Sequence, residues 1–382
     1  MNTTLSPVTA QRFFALQSEL LGVVEQDFAG LTPKLEQMIR AFELTQIEQL
    51  VYLDRSYGQK QGAGQPEKDR CALACAFLAK AILDLKTTRA LIDRLQADSK
   101  LRRLCGFDLR HALPSESAFS RAFAEFANSD LMQRVHQGMI AATLGDQLIG
   151  HISRDSTAIE VRERLAPKAK IEADKKAQEA KANQPKKKRG RPKKDEVRPL
   201  PEPSVLEVQR GQTVEQMLAD LYLGCATGTK KNAQGYKISW KGYKLHLDTA
   251  CCGVPISAVL TGANVHDSRV ALPLSRISAQ RVDACYELMD AAYCSTIIRE
   301  DIQNAGRVPL IDHNARRGEK REFAPHEAQR YKTRSGAERT NARLKDEFGA
   351  RHVQVRGHAK VMCHLMMGVV ALCADQLTRL ML

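Results

Sequence analysis

Apolar positions in the first 145 residues recur at three- and four-residue steps. Leu31 to Leu50, Glu67 to Leu85 and Thr87 to Leu95 each place them at i, i+3 and i+4, which gathers them on one face of an α-helix. Gly58, Gly62, Gly64 and Pro66 mark a loop before the second of these stretches. Pro114-Ser115-Glu116-Ser117 supplies turn and N-cap chemistry ahead of a helix reading AFSRAFAEFA. The region from about 8 to 145 is therefore predicted to be all-α. A short helix, a turn and a helix opening on Ser117, Ser120 and Arg121 fits a helix-turn-helix whose N-terminus meets DNA. It fits equally a plain bundle with Phe119, Phe123 and Phe126 in its core.

Beyond residue 145 the period changes. Gln147 to Ser153 is a short extended run that delivers Arg154-Asp155-Ser156-Thr157. An acid at the end of an apolar strand, followed by small hydroxyl residues, either serves a metal ion at the edge of an α/β sheet or sits in a turn. Gly242 to Asp248 alternates, Gly253-Val254-Pro255 turns and Ile256 to Leu260 runs back, which predicts an antiparallel hairpin. Asn264 to Ser268 leads into a helix of about ten residues, with Asp267 as its N-cap and His266 in the loop. Tyr286 to Asp290 is a short buried strand ending in a second acid. A helix to Asn304 and a strand at Val308 to Ile311 complete a β-α-β unit.

Tyr331 to Lys345 lacks Pro and is rich in Ala, Arg, Lys, Glu and Leu, so it is predicted helical. Its Tyr331, Arg334, Glu338 and Lys345 follow one another at +3, +4 and +7, steps that keep side chains on one face. The resulting stripe is polar. It is either a solvated, ion-paired face or a metal ligand, Glu338, flanked by groups that grip a phosphate. Val361 to Leu382 is the most apolar segment, but His364, Asp375 and Arg379 interrupt it; it reads as a helix packed on a core rather than a membrane span.

Composition sharpens this picture in two places. The chain has 382 residues, 43% of them hydrophobic, enough for two domains with real cores. Its net charge of +14 favours a polyanionic partner. Between Arg162 and Lys194 there are 14 Lys/Arg against 4 Asp/Glu, whereas the remaining chain carries 44 against 40. The basic character is thus mostly one local device, inside a stretch over 165–200 too poor in aromatic residues to order a core. Ala166 to Ala182 fits an exposed helix. At its basic centre, KKKRGRPKK (186–194), Arg189-Gly190-Arg191-Pro192 resembles an AT-hook, whose two Arg side chains lie in the narrow minor groove of A·T-rich DNA. A nonspecific basic linker remains the other reading. The ten cysteines show no CxxC pairing, and MNTTLSPVTAQRFF lacks a secretory pattern, so reduced thiols in an intracellular, cytoplasmic protein are expected.

Asp155 and Asp290 at strand ends and Glu338 on a following helix can converge at one edge of a sheet. Three clustered carboxylates repel one another unless cations neutralise them, and hard oxygen ligands select Mg²⁺ or Mn²⁺. Two such ions about 4 Å apart activate an attacking hydroxyl and stabilise the leaving oxygen in phosphoryl transfer. On this reading Arg334 and Lys345 bind phosphate and Tyr331 donates a hydrogen bond. No Walker loop, GxSxG elbow or HExxH site competes with it.

The spacing Y-x2-R-x3-E-x6-K at Tyr331, Arg334, Glu338 and Lys345 resembles the C-terminal signature of the DDE transposases of bacterial insertion sequences. Arg154 to Thr157, Gly242 to His246, Asn264 to Ser268 and Asp290 to Tyr293 look like that family's other landmarks, and Leu104 to Phe107 with Ser117 to Phe123 is similar to its helical lead-in. The resemblance covers about 100–370 and is strongest over 236–345. It implies an α/β, ribonuclease-H-like catalytic core, a mixed sheet flanked by helices, preceded by an all-α N-terminal domain. Domains are expected over 1–146, which would bind DNA ends, and 147–382, with a basic flexible insertion over 165–235. It further implies two Mg²⁺ or Mn²⁺ ions, cleavage at the element's terminal inverted repeats, transfer of the freed 3′-OH into target DNA, and a homodimer that pairs two ends. A DNA-binding descendant with unused chemistry, or a nuclease of the same fold, are the alternatives. Two features depart from the pattern: Ala292 stands where many relatives have Gly, and the insertion follows the first acid, leaving an interval of only 48 residues from Asp290 to Glu338.

Overall fold

The structure, a computed structural model, describes residues 31–56, 68–165, 203–231, 234–315 and 319–381. The AT-hook-like Arg189, Gly190, Arg191 and Pro192, the helix expected over Ala166 to Ala182 and the Gly-rich loop at 58–66 lie outside them.

Among the described residues seven helices come first: α1 (Pro33–Thr45), α2 (Ile47–Ser56), α3 (Arg70–Ile82), α4 (Thr88–Ala97), α5 (Ser99–Leu104), α6 (Glu116–Asn128) and α7 (Leu131–Leu144). Their starts are set by short polar side chains that accept otherwise unpaired amide N–H groups. Thr32 caps α1 ahead of Pro33, Asp69 accepts from Cys71 and Ala72 at the start of α3, and Ser115 accepts from Ala118 at the start of α6. Phe119, Phe123 and Phe126 do form core. All three pack around Phe77 of α3, with ring centroids 4.9 to 6.5 Å apart. Ser117, Ser120 and Arg121 stay exposed on the same helix, so its apolar face is spent on packing while its polar face remains free.

The sheet has six strands: β1 (Leu148–Glu160), β2 (Ala226–Lys231), β3 (Lys237–Ala250), β4 (Pro255–Gly262), β5 (Asp283–Met289) and β6 (Val308–Ile311). It is mixed, as expected. β1, β5 and β6 run parallel, while β3 is antiparallel to β1 and carries β2 on its first half and β4 on its second. The part of the expected insertion over 203–231 is ordered rather than flexible. It forms α8 (Val205–Arg210), α9 (Val214–Ala219) and β2, and Met217 is fully buried against Ala271 and Leu272. Its polar sequence gains order from pairing and packing with distant segments, which local composition does not register.

Helices cover both faces of the sheet. α10 (Ser268–Ala279) and α11 (Thr296–Asn304) lie on one side with α8 and α9. The other face carries α12 (Pro325–Tyr331), a 3₁₀ turn over Lys332–Arg334, and α13 (Ser335–Glu347). The predicted single helix from Tyr331 to Lys345 is therefore two helices joined by a tight turn, with Tyr331 closing the first. The apolar α14 (His358–Met381) runs into the helical region and packs on α1, α3, α6 and α7, so one continuous core joins Leu35 to Leu144 with Leu344 to Leu377 and the sheet.

Candidate active site

Asp155 lies inside β1 rather than at its end, which corrects the expectation from sequence. The strand continues through Ser156 to Glu160 because Gly242 to His246 of β3 pair with these residues, although they lack apolar alternation. Alternation along the strand then sorts chemistry to two faces. Odd-numbered His151, Ser153 and Asp155 point to α13, and even-numbered Ile152 and Arg154 point to α10.

The parallel register of β1 and β5 pairs Leu148 with Asp283 and Ser153 with Leu288. Two residues further on, it sets Asp155 beside Asp290, and neighbouring strands are roughly 4.8 Å apart. Asp290 does end its strand, and its carboxylate accepts from the Ala292 N–H at 2.9 Å, which starts the 3₁₀ turn Ala291–Tyr293. The next strand repeats the pattern. Met289 opposes Ile311, so Asp312 follows in the row beside Asp290, and its N–H donates to the Met289 carbonyl at 3.2 Å. The Tyr331 hydroxyl donates to that same carbonyl at 3.1 Å, which pins the turn between α12 and α13 to β5.

From above, α13 brings Glu338 and Asn341. Asn341 is nearly buried and donates to Asp155 Oδ2 at 2.9 Å. Arg334 joins the acids: its guanidinium lies 3.7 Å from Asp155 Oδ1 and donates to Glu338 Oε1. Arg334 Nη1 is buried with no hydrogen-bond partner. Asn341 is a contact of Asp155 that spacing alone missed, although its place three residues after Glu338 puts it on the same helix face.

The electrostatics follow from this packing. Burial pushes the Asp155 carboxyl up to about 6; Asn341 and Arg334 oppose the shift, and Asp290 and Glu338 add to it. Burial also raises Asp290, opposed by the Ala292 N–H and Arg334 and reinforced by Asp267 and Asp312. Asp267 sits at the expected N-terminus of α10 but does not cap it. Its carboxylate pairs with Lys244 at 2.9 Å instead, because the long cation from β3 reaches it first. His266 bonds only its neighbour Ser268, as an exposed loop residue. Lys345, from the far end of the stripe, is half-buried and shares its surroundings with Lys230, Arg351 and Glu160.

Behind the sheet, Arg154 is fully buried and forks onto Asp248 with bonds of 2.8 and 2.7 Å, and also reaches Glu287 at 3.2 Å. Ser278 completes Asp248, and Ser275 and Arg307 complete Glu287. This network fixes β1, β3 and β5 in the register that aligns Asp155 with Asp290.

No group of three His, Cys, Asp or Glu side chains among the described residues is arranged to hold a metal ion. The donor set nevertheless fits one. Asp155, Asp290 and Glu338 offer hard oxygens, the first two are partly buried acids whose carboxyls burial raises, and a guanidinium stands among them as the cation. Movement of Arg334 away from Asp155 and Glu338 would free their oxygens.

A family model, Transposase DDE domain, matches residues 204–374, and a second, Transposase domain (DUF772), matches residues 25–125. The first takes in Asp290 and Glu338 and begins after Asp155, so the place of Asp155 rests on the strand register. No curated protein and no solved structure matches the chain.

Proposed function

This chain belongs to the DDE transposases of insertion sequences, and from that premise we propose that Asp155, Asp290 and Glu338 are the catalytic acids of an enzyme that cuts and joins DNA. The observation that carries the reading is the alignment of Asp155 with Asp290 on parallel strands, beneath the helix that brings Glu338. When bound, two Mg²⁺ or Mn²⁺ ions would activate the attacking hydroxyl and stabilise the leaving oxygen. The three carboxylates would hold them. Asn341 keeps Asp155 turned toward the cleft, and the pinned Tyr331 holds the α12–α13 turn on β5. Arg334, released from the acids, becomes a cation for the scissile phosphate, and Lys345 with Lys230 and Arg351 meets the backbone beyond it.

The reaction is phosphoryl transfer in two steps. A water oxygen first bonds to phosphorus at the element's end and the 3′-oxygen leaves as a free hydroxyl. That 3′-OH then attacks a target phosphodiester, forming one P–O bond as another breaks. The partners are terminal inverted repeats and target DNA in the cytoplasm, two chains pair the two ends, and Arg189 with Arg191 adds affinity for A·T-rich minor groove.

The test uses purified full-length protein, Mg²⁺ and labelled terminal-repeat DNA. End cleavage and joined products are expected, and both should fall to background in Asp155→Ala and Glu338→Ala. Cleavage that survives either substitution removes the proposed site. Binding without cleavage favours a DNA-binding descendant, and cutting without joining favours a nuclease. Arg189→Ala combined with Arg191→Ala is expected to weaken binding to A·T-rich duplex while cleavage persists; unchanged affinity and salt slope would refute the hook.

A further inference from the structure

Far from the three acids, a cavity of about 300 Å³ opens where the helical region meets the start of α14. Its walls come from both halves of the chain: Lys80 of α3 and Ser120 of α6 on one side, Arg356 and Lys360 at the head of α14 on the other. Lys80 is unusual there. It is nine-tenths buried, yet no hydrogen bond or ion pair to its ammonium is present among the described residues. Its stem is what is buried; the nitrogen is not among the fully buried unpartnered atoms and opens to the cavity it lines, where an anion could meet it.

The acids nearby do not serve that purpose. Glu116 is already paired with Arg89, and Asp84, one turn beyond Lys80, is outside ion-pair distance. His364, which also lines the cavity, donates no positive charge at neutral pH, since burial and Lys80 push it down to about 4. Burial pulls Lys80 itself down to about 8, with Asp84 opposing, so an anion would restore its full charge. Arg356 and Lys360 have no carboxylate partner among the described residues, and the exposed hydroxyl of Ser120 adds a donor at the rim. Three cations and a hydroxyl around a small opening suit a tetrahedral oxyanion.

We propose that this cavity is a phosphate pocket that takes one backbone phosphate of DNA lying across the exposed Ser117–Arg121 edge of α6. The proposal rests on the reading of the chain as a DNA-acting enzyme. The pocket's two walls belong to the two matched segments, so one phosphate ties the helical region to the catalytic half.

The experiment measures fluorescence anisotropy of a labelled 40-base-pair duplex with full-length protein from 50 to 300 mM KCl. Each lost phosphate contact lowers the slope of log affinity against log salt by about 0.9. Lys80→Met keeps the buried stem and removes the charge, and Lys360→Gln does so at the exposed rim, where folding is not at stake. Both should bind several-fold more weakly at 100 mM KCl and lose about one unit of slope. Wild-type protein that binds while Lys360→Gln and a folded Lys80→Met keep its affinity and slope would overturn the pocket and leave the reading of the chain intact. A melting temperature raised by inorganic phosphate at fixed ionic strength, with DNA slopes unchanged in the variants, assigns the pocket to a free anion and also overturns the proposal. Failure of the wild type to bind duplex at any salt concentration is instead the failure of the broader reading.

Discussion

Asp155 shows what it costs to keep a carboxylate out of water. Its folded value of about 6 lies above that of an unfolded Asp, so the native state holds the proton more tightly. In metal-free protein this makes stability fall as pH rises from about 4 to 6, with the full penalty present above 6. Asp155→Asn keeps an acceptor for Asn341 and removes the penalty. It should raise the melting temperature at pH 7.5, on the order of 2 kcal/mol of stability, and leave it near wild type at pH 4. A variant that gains nothing at pH 7.5 would refute this account. Mg²⁺ should stabilise the wild type and not the variant, since an ion that binds only the native state adds stability by mass action. Arg154, one residue away and on the other face, has the opposite character. Arg154→Met would strand Asp248 without its cation and leave Glu287 with Arg307 alone, and should cost about 3–5 kcal/mol in urea unfolding. An unchanged midpoint would show that the network is not holding the strands.

Among the elements, α13 decides whether Glu338 meets the two aspartates, and α14 decides where α13 lies. Gly368 of α14 is the contact. A Cβ there would fall 2.5 Å from the Phe348 carbonyl and 3.0 Å from Leu344. Gly368→Ala should therefore push the end of α13 outward, reducing cleavage about tenfold or more while terminal-repeat binding persists; full activity would mean the helix has slack. None of this was legible in the apolar pattern of α14, which predicts a buried helix but not its neighbours. The hairpin, the β-α-β unit and the spacing of Glu338 were legible because each depends on local periodicity. β2 was not, since ATGTKK acquires strand geometry only by pairing with β3. The ordered α8 and α9 were missed for the same reason. Nor could spacing reveal that Arg334 turns onto Glu338 and Asp155, or that Arg154 finds partners 94 and 133 residues away.

For the whole molecule, three buried histidines and a partly buried fourth set the response to acid. Burial pushes His136 and His246 down to about 3 and His151 and His364 down to about 4. The His136 Nε2–H donates to the Pro255 carbonyl while Nδ1 accepts from Arg281, so its neutral form is the one the fold accommodates. The unfolded chain protonates these rings near 6.5 and the native chain refuses, so stability is complete above about 6.5 and is lost as pH falls toward 4. That sign is opposite to the raised carboxyls Asp155, Asp290 and Glu43, and four rings act against these three. Urea unfolding of metal-free protein should show a lower midpoint at pH 5 than at pH 7.5; equal midpoints would mean that the rings are not buried as neutral species.

The place of α14 also bears on how the chain is made. Residues 358–381 fill the middle of a bundle whose other members lie before residue 145. During translation, at about 5–20 residues per second, the early helices wait many seconds for the one that closes their core. A chain interrupted upstream of 358 would release helices with an open apolar centre. The same arrangement that positions Glu338 thus leaves such a chain without the helix that closes its first core.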